Sequence, residues 1–121
     1  MLVRRAVAID DEQAVLSTIV ELTALLGLEV KGFLCPAAAL AYIRANRVDL
    51  ILTDFRMPGM DGVELVREVR KIDGDVPIVM ITGNAEDEEL RRRAWSSGVT
   101  DILGKPIDCR RFDAIIRTIM K

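Results

Sequence analysis

Five residues that can do chemistry stand where short apolar runs end. Asp10 and Asp11 follow the first run (residues 4–9, RRAVAI), Asp54 follows the third (50–53, LILT), and Thr82 follows the fourth (77–81, PIVMI). Lys105 comes just after the last (99–103, VTDIL). Runs this short, separated by helical periodicities, suit the buried strands of a parallel sheet. In such a sheet the carboxyl ends of the strands lie along one edge, where ligands bind, so residues far apart in sequence converge. Three carboxylates on one rim repel each other unless a cation sits among them. Carboxylate oxygens suit a hard divalent ion, Mg2+ or Mn2+, and the Lys105 ammonium supplements it. Such a rim attracts phosphate oxygens, and Asp54 can act there as a carboxylate nucleophile towards phosphorus. Taken singly, each residue has a plainer role: Asp11 as a helix cap, Asp54 as a turn aspartate, Thr82 as a strand-end hydroxyl, Lys105 as a surface amine. Their joint placement at strand ends is what favours the chemistry.

The stretch from Val48 to Gly62 (VDLILTDFRMPGMDG) contains the unit that must position Asp54. An apolar strand ends in an exposed carboxylate, Met57-Pro58-Gly59 turns the chain, and Asp61 with Glu64 opens a helix as an aspartate version of the capping box. The other elements follow in order. After the first strand, a helix over 12–26 places Val15, Ile19, Leu22 and Leu26 on one face and stops at Gly27. Residues 28–33 read as a strand of mixed polarity suited to a sheet edge, and Pro36 opens a helix over 36–46. The third helix, 62–72, turns Leu65, Val66, Val69 and Ile72 inward. The fourth, 85–97, stops at Gly98 and offers little beyond Leu90 and Ala94 to the core. Its Asp87–Arg91, Glu88–Arg92 and Glu89–Arg93 spacings suit i,i+4 ion pairs, the pattern of a solvated face rather than a nucleic-acid patch. The fifth, 108–120, carries Phe112, Ile115, Ile116 and Ile119 on one stripe. Strand and helix alternate five times with short connections. That predicts one α/β domain over 1–121, with parallel strands and helices on both faces.

Composition narrows the function classes. The chain has 121 residues, half of them hydrophobic and 30% charged, enough for one globular core. A net charge of −2 leaves no electrostatic footprint for nucleic acid. No apolar run can span a bilayer, and the start (MLVRRAVAIDDE) lacks the apolar core and cleavage site of a signal peptide. Cys35 and Cys109 form neither a CxxC pair nor a disulfide framework, which points to a reduced, cytoplasmic setting. There is no histidine. That removes Ser-His-Asp and Cys-His catalysis, argues against zinc, and means that any phosphohistidine belongs to another protein.

Four features occur in order along essentially the whole chain: Asp10-Asp11-Glu12, Asp54-x-x-Met57-Pro58-Gly59-Met60-Asp61-Gly62, Thr82-Gly83 and Lys105-Pro106. Together they resemble the receiver domains of two-component response regulators. The resemblance implies a flavodoxin-like, doubly wound five-stranded parallel sheet in the order 2-1-3-4-5, with five helices. It implies Asp54 as phosphoacceptor and Mg2+ (or Mn2+) held by Asp10, Asp11, Asp54 and the backbone carbonyl of Arg56. Thr82 and Lys105 would bind the phosphoryl oxygens, with a cis peptide before Pro106 aiming the lysine. Arg56 and Asn84, two residues after the acceptor and after Thr82, would flank the path of the attacking water and modulate phosphoryl lifetime. The donor would be a histidine kinase, a phosphotransfer protein or a small acyl phosphate. The domain would be a signalling device rather than an enzyme, apart from its own phosphorylation and dephosphorylation.

The same resemblance implies an output. Phosphorylation would draw Thr82 inward and shift helix 4, the least anchored helix. Helix 4, strand 5 and helix 5 would then face an effector domain, an output partner or a second copy in a phosphorylation-dependent homodimer, with no direct contact to nucleic acid or membrane. Trp95 lies on or beside that face, either partly buried or free for a partner. Receivers commonly carry Tyr or Phe on the last strand, and here the position is Ile102, stiff at χ1. A signal would then pass through the backbone of residues 82–84 and through helix 4. Met1 falls just before the first strand, which suits a free-standing or amino-terminal receiver.

Two other classes share part of the pattern. A haloacid-dehalogenase-like phosphatase also uses a strand-end aspartyl nucleophile with Mg2+, Thr and Lys. It requires a second Asp two residues on, where this chain has Arg56. A flavodoxin-like electron carrier requires a Ser/Thr/Gly-rich phosphate loop after the first strand, where Asp10-Asp11-Glu12 would repel the FMN phosphate.

Overall fold

The computed structural model describes residues 4–121; Met1, placed by the sequence just before the first strand, lies outside the described residues. The elements are β1 (Arg5–Ile9), α1 (Gln13–Leu25), β2 (Glu29–Phe33), α2 (Pro36–Ala45), β3 (Leu50–Thr53), α3 (Gly62–Ile72), β4 (Ile78–Thr82), α4 (Glu88–Ser97), β5 (Asp101–Gly104) and α5 (Cys109–Ile119). All strands pair in parallel, in the order β2-β1-β3-β4-β5. This is the expected doubly wound sheet. Every residue of β3 and β4 is buried, because helices cover both faces of the sheet. The mixed polarity of β2 is that of an edge strand, as expected.

Each face of the sheet has its own core. On one side Val7, Ile9, Ile51 and Met80 pack with Leu40, Leu65, Val69 and Leu90 from α2, α3 and α4. On the other, Ala6, Ala8, Leu52 and Ile81 pack with Leu16, Ile19, Phe112 and Ile116 from α1 and α5. Alternation along each strand divides its side chains between these two cores. The capping box of α3 forms as read: Asp61 accepts from Glu64 N at 2.9 Å, and Glu64 accepts from Asp61 N at 3.2 Å. Gly98 ends α4 in the left-handed region, at φ +108°.

Several local readings change. On α1 the buried residues are Leu16, Ile19 and Thr23, while Val15, Leu22 and Leu26 are only partly buried. Apolar residues wrap much of this helix, so periodicity alone misplaced the centre of the stripe. Thr23 tolerates burial because its hydroxyl donates to Ile19 O at 2.6 Å. Ile72, expected inward, is 40% exposed; Val63, Leu65, Val66 and Val69 already complete the buried stripe of α3.

The start of α4 moves to Glu88, because Asp87 is its N-cap, accepting from Glu89 N at 2.9 Å and Leu90 N at 3.1 Å. None of the three expected i,i+4 ion pairs is present among the described residues. The Arg91 guanidinium donates instead to Ala85 O at 2.9 Å, Arg92 pairs with Glu89, and Arg93 reaches Asp61 at 3.4 Å. The strand β5 starts later than read, since the Thr100 hydroxyl bonds Ile78 N at 2.9 Å in the connection. Arg70 had no role in the pattern. Its guanidinium donates to Gly98 O (3.1 and 2.7 Å), Val76 O (2.7 Å) and Asp73 O (3.2 Å), tying α3 to the end of α4 and the approach to β4. No helix among the described residues is long and apolar enough to cross a membrane.

Candidate functional site

Strand register does the first part of the positioning. Ile9 pairs with Thr53, so Asp10 and Asp54 leave the sheet side by side. Backbone bonds continue past the strands: Asp54 N–H donates to Ile9 O at 2.9 Å and Asp10 N–H to Phe33 O at 3.1 Å. Across the sheet Thr82 pairs with Gly104, and Lys105 N–H donates to Thr82 O at 2.9 Å. The Lys105-Pro106 peptide is cis, as expected. From the end of β5 the lysine side chain reaches back over β4.

Its ammonium bridges two acids. Lys105 Nζ lies 2.9 Å from Asp10 Oδ2 and 3.1 Å from Asp54 Oδ1. Asp10 Oδ1 accepts from Glu12 N at 2.9 Å, and Asp54 Oδ1 accepts from Phe55 N at 2.8 Å. Both contacts to Asp54 fall on Oδ1, leaving Oδ2 for a ligand. Asp11 does not cap α1, whose N-cap is Glu12 without a side-chain bond. One carboxylate oxygen from each of Asp10, Asp11 and Asp54 lies within 4.8 Å of the others. That spacing fits a hard cation drawing oxygens from two strand ends. The expectation of an exposed Asp54 needs correction: it is 5% exposed and Asp10 is fully buried. Phe55 and Lys105 stand against it, so this carboxylate is recessed.

Burial sets the electrostatics. It pushes the Asp54 carboxyl above its ordinary pKa, the Asp10 charge pushes the same way, and Lys105 with the Phe55 amide only partly offsets them. For Lys105, burial works against the ammonium, yet hydrogen bonds to Asp10 and Asp54 outweigh it and its pKa is raised. The lysine therefore remains a fixed positive charge in a pocket still short of cations.

The other expected residues surround this centre. Thr82 is buried at the rim, and its hydroxyl accepts from Asn84 N at 3.1 Å, so it faces its own loop rather than Asp54. Asn84 and Arg56 are exposed; the Arg56 guanidinium sits 5.7 Å from the centre of the Phe55 ring. Beside the acids, Asp11, Phe55, Arg56, Met57, Asp61 and Arg93 line a cleft. Ile102 lies away from the centre, buried in the same core as Leu90 and Ala94 of α4. Trp95 is 45% exposed.

Gly62 was missed as a site residue. A Cβ there would lie 2.3 Å from Asp54 O and 3.0 Å from Phe55 Cα. Its N–H donates to Phe55 O at 2.6 Å, folding the loop back onto Asp54, and only glycine allows so close an approach.

Comparison with known proteins agrees with this geometry. The family model for the response regulator receiver domain matches residues 6–117. The cyclic di-GMP phosphodiesterase response regulator RpfG of Xanthomonas campestris is 46% identical over 89 residues, covering 72% of this chain and 23% of that protein. The C4-dicarboxylate transport transcriptional regulatory protein DctD of Rhizobium meliloti is 32% identical over 103 residues, covering 85% of this chain and 22% of that protein. The chain thus spans less than a quarter of the length of these relatives. Among solved structures, chemotaxis protein CheY4 of Vibrio cholerae aligns with a TM-score of 0.90 at 26% identity, covering 98% of this chain and 99% of that one. Strand-end acids, bridging lysine, sheet order and matched residues converge, and the chain belongs to the response regulator receiver domains.

Proposed function

We propose that residues 1–121 form one phospho-accepting module of a two-component system, with Asp54 as the acceptor. One observation carries the reading: a recessed Asp54 shares the Lys105 ammonium with Asp10, and Asp11 brings a third carboxylate within ligand distance. Asp10, Asp11, Asp54 and the backbone carbonyl of Arg56 would hold Mg2+ or Mn2+. When bound, the ion neutralises the acids and stabilises charge on the transferred phosphoryl oxygens.

In the transfer, a carboxylate oxygen of Asp54 attacks phosphorus on a phosphohistidine of a histidine kinase or phosphotransfer protein. The new O–P bond forms as the P–N bond breaks, and the imidazole nitrogen leaves with the electron pair. With a small acyl phosphate the breaking bond is P–O and the carboxylate leaves. Lys105 stabilises the equatorial oxygens, needing little movement from its place 3.1 Å from Asp54 Oδ1. Thr82 turns its hydroxyl from its own loop to a phosphoryl oxygen. Arg56, which lines the cleft, and Asn84, exposed two residues after Thr82, govern the access of water.

Transfer and hydrolysis of this one phosphoryl group are the whole chemistry. The output is a shift of α4, β5 and α5 towards an effector domain, another protein or a second copy. Ile102, buried beside Leu90 and Ala94, makes the relay one of backbone and helix rather than a swinging ring. The setting is cytoplasmic, where the exposed free thiols of Cys35 and Cys109 stay reduced.

The test is intact-mass spectrometry after incubation with acetyl phosphate. One phosphoryl group should be added with Mg2+ present, and none in Asp54→Asn. Equal labelling of the Asn variant would refute the assignment.

A further inference from the structure

We infer that Arg93 is a latch: a positioning residue that holds α4 to the acceptor loop until Asp54 is phosphorylated. The inference rests on the reading of Asp54 as acceptor. One guanidinium makes both contacts. Arg93 Nη2 lies 3.4 Å from Asp61 Oδ2, and its Cζ lies 5.6 Å from the centre of the Phe55 ring, within cation–π range. These two partners stand at opposite ends of the acceptor loop. Phe55 follows Asp54 directly, is 7% exposed, and donates its N–H to Asp54 Oδ1 at 2.8 Å. Asp61 ends the loop as N-cap of α3, using Oδ1 for Glu64 N at 2.9 Å and leaving Oδ2 for Arg93.

The helix that Arg93 belongs to makes the contact matter. Only Leu90, Ala94 and Ser97 of α4 are buried. The Arg91 side chain is engaged with Ala85, within the connection before α4, and Arg70 holds Gly98 at the other end. Arg93 joins the middle of the helix to the loop that carries the acceptor. An exposed ion pair ordinarily contributes little to stability. A small energy present in one conformation and absent in another still biases the balance between them.

Loading a phosphoryl group on Asp54 redistributes the contacts of its oxygens, among them the bond from Phe55 N–H. Thr82, just before the connection to α4, must turn at the same time. Both movements strain the Arg93 contacts. By reciprocity, a latch that opposes the phosphorylated arrangement weakens binding of any phosphoryl mimic by the factor with which phosphorylation weakens the latch.

The experiment titrates beryllofluoride with Mg2+ into the whole chain and reads its affinity by calorimetry and by Trp95 fluorescence. Arg93→Gln removes both contacts and should tighten binding by about fivefold. Asp61→Asn removes the ion pair but keeps a good cap, and should give part of that gain. The double variant should bind no tighter than Arg93→Gln alone. A merely structural role for Arg93 would lower the melting temperature without tightening the mimic. Unchanged or weaker binding in both single variants, or fully additive effects in the double, would overturn the latch while the acceptor assignment stands. A parent that does not bind the mimic, or an Asp54→Asn variant that binds as well as the parent, would overturn the acceptor reading and the latch with it.

Discussion

Replacing Arg70 with Met tests whether one cation organises the far end of α4. The substitution keeps the aliphatic stem against Gly98 and deletes the guanidinium, which makes four contacts to three carbonyl oxygens at 2.7–3.2 Å. A hydrogen bond to a charged group contributes about 1.5–3 kcal/mol net. The contacts share one cation, and the carbonyls of half-buried Gly98 and Asp73 regain water once it is gone, so simple addition overcounts. A net loss of about 3 kcal/mol follows, equivalent to a fall in melting temperature of about 12 °C for a chain of this size. Lysine offers a point charge that satisfies one carbonyl well, so Arg70→Lys should fall between parent and Met variant. Far-UV circular dichroism during thermal and urea unfolding measures both. A Met variant within about 1 kcal/mol of the parent would refute the claim that this residue staples α3 to α4.

Three further substitutions probe the site. Asp54→Asn should stabilise the metal-free chain at neutral pH. Because the folded pKa of Asp54 lies above its ordinary 3.8, the stability it contributes is complete below 3.8 and lost as pH rises through the folded value. The gain should therefore shrink as pH falls through the folded value towards 3.8; urea unfolding in a chelating buffer would contradict this if the gain grew with acidity. Gly62→Ala forces a Cβ into the Asp54 carbonyl, 2.3 Å away, and should cost about 2–3 kcal/mol while slowing phosphoryl labelling. A variant as stable and as readily labelled as the parent would show that the loop yields freely. Arg56→Ala should speed loss of the aspartyl phosphate by about threefold, the scale of one weak exposed ionic contact; decay at the parent's rate or slower, followed by mass spectrometry, would exclude shielding by this side chain.

The parts of the molecule that local chemistry determines were readable from the chain. Leu50 to Thr53 form an apolar run ended by a carboxylate because the strand is covered on both faces and then stops at an open edge. Asp61 and Glu64 cap a helix through bonds spanning three residues. Such signals lie inside one element. What escaped depends on partners from elsewhere. Arg70 reaches a carbonyl 28 residues away, and no helical period encodes that. The acid-first spacing on α4 suggested Asp87–Arg91 pairing, but Asp87 gained more by capping two amides, and Arg93 found Asp61 across the gap between helices. The burial of Asp54 was hidden for the same reason. Its cover comes partly from Lys105, separated from it along the chain by α3, β4, α4 and β5.

The most direct measurement locates the phosphoryl group at residue level. The chain is incubated with acetyl phosphate and Mg2+, treated with borohydride to reduce an aspartyl phosphate to homoserine, and digested for peptide mass spectrometry. Homoserine is expected at position 54 alone, and none when a chelator replaces Mg2+. Homoserine at Asp10 or Asp11, or undiminished conversion at Asp54 without a divalent ion, would contradict this.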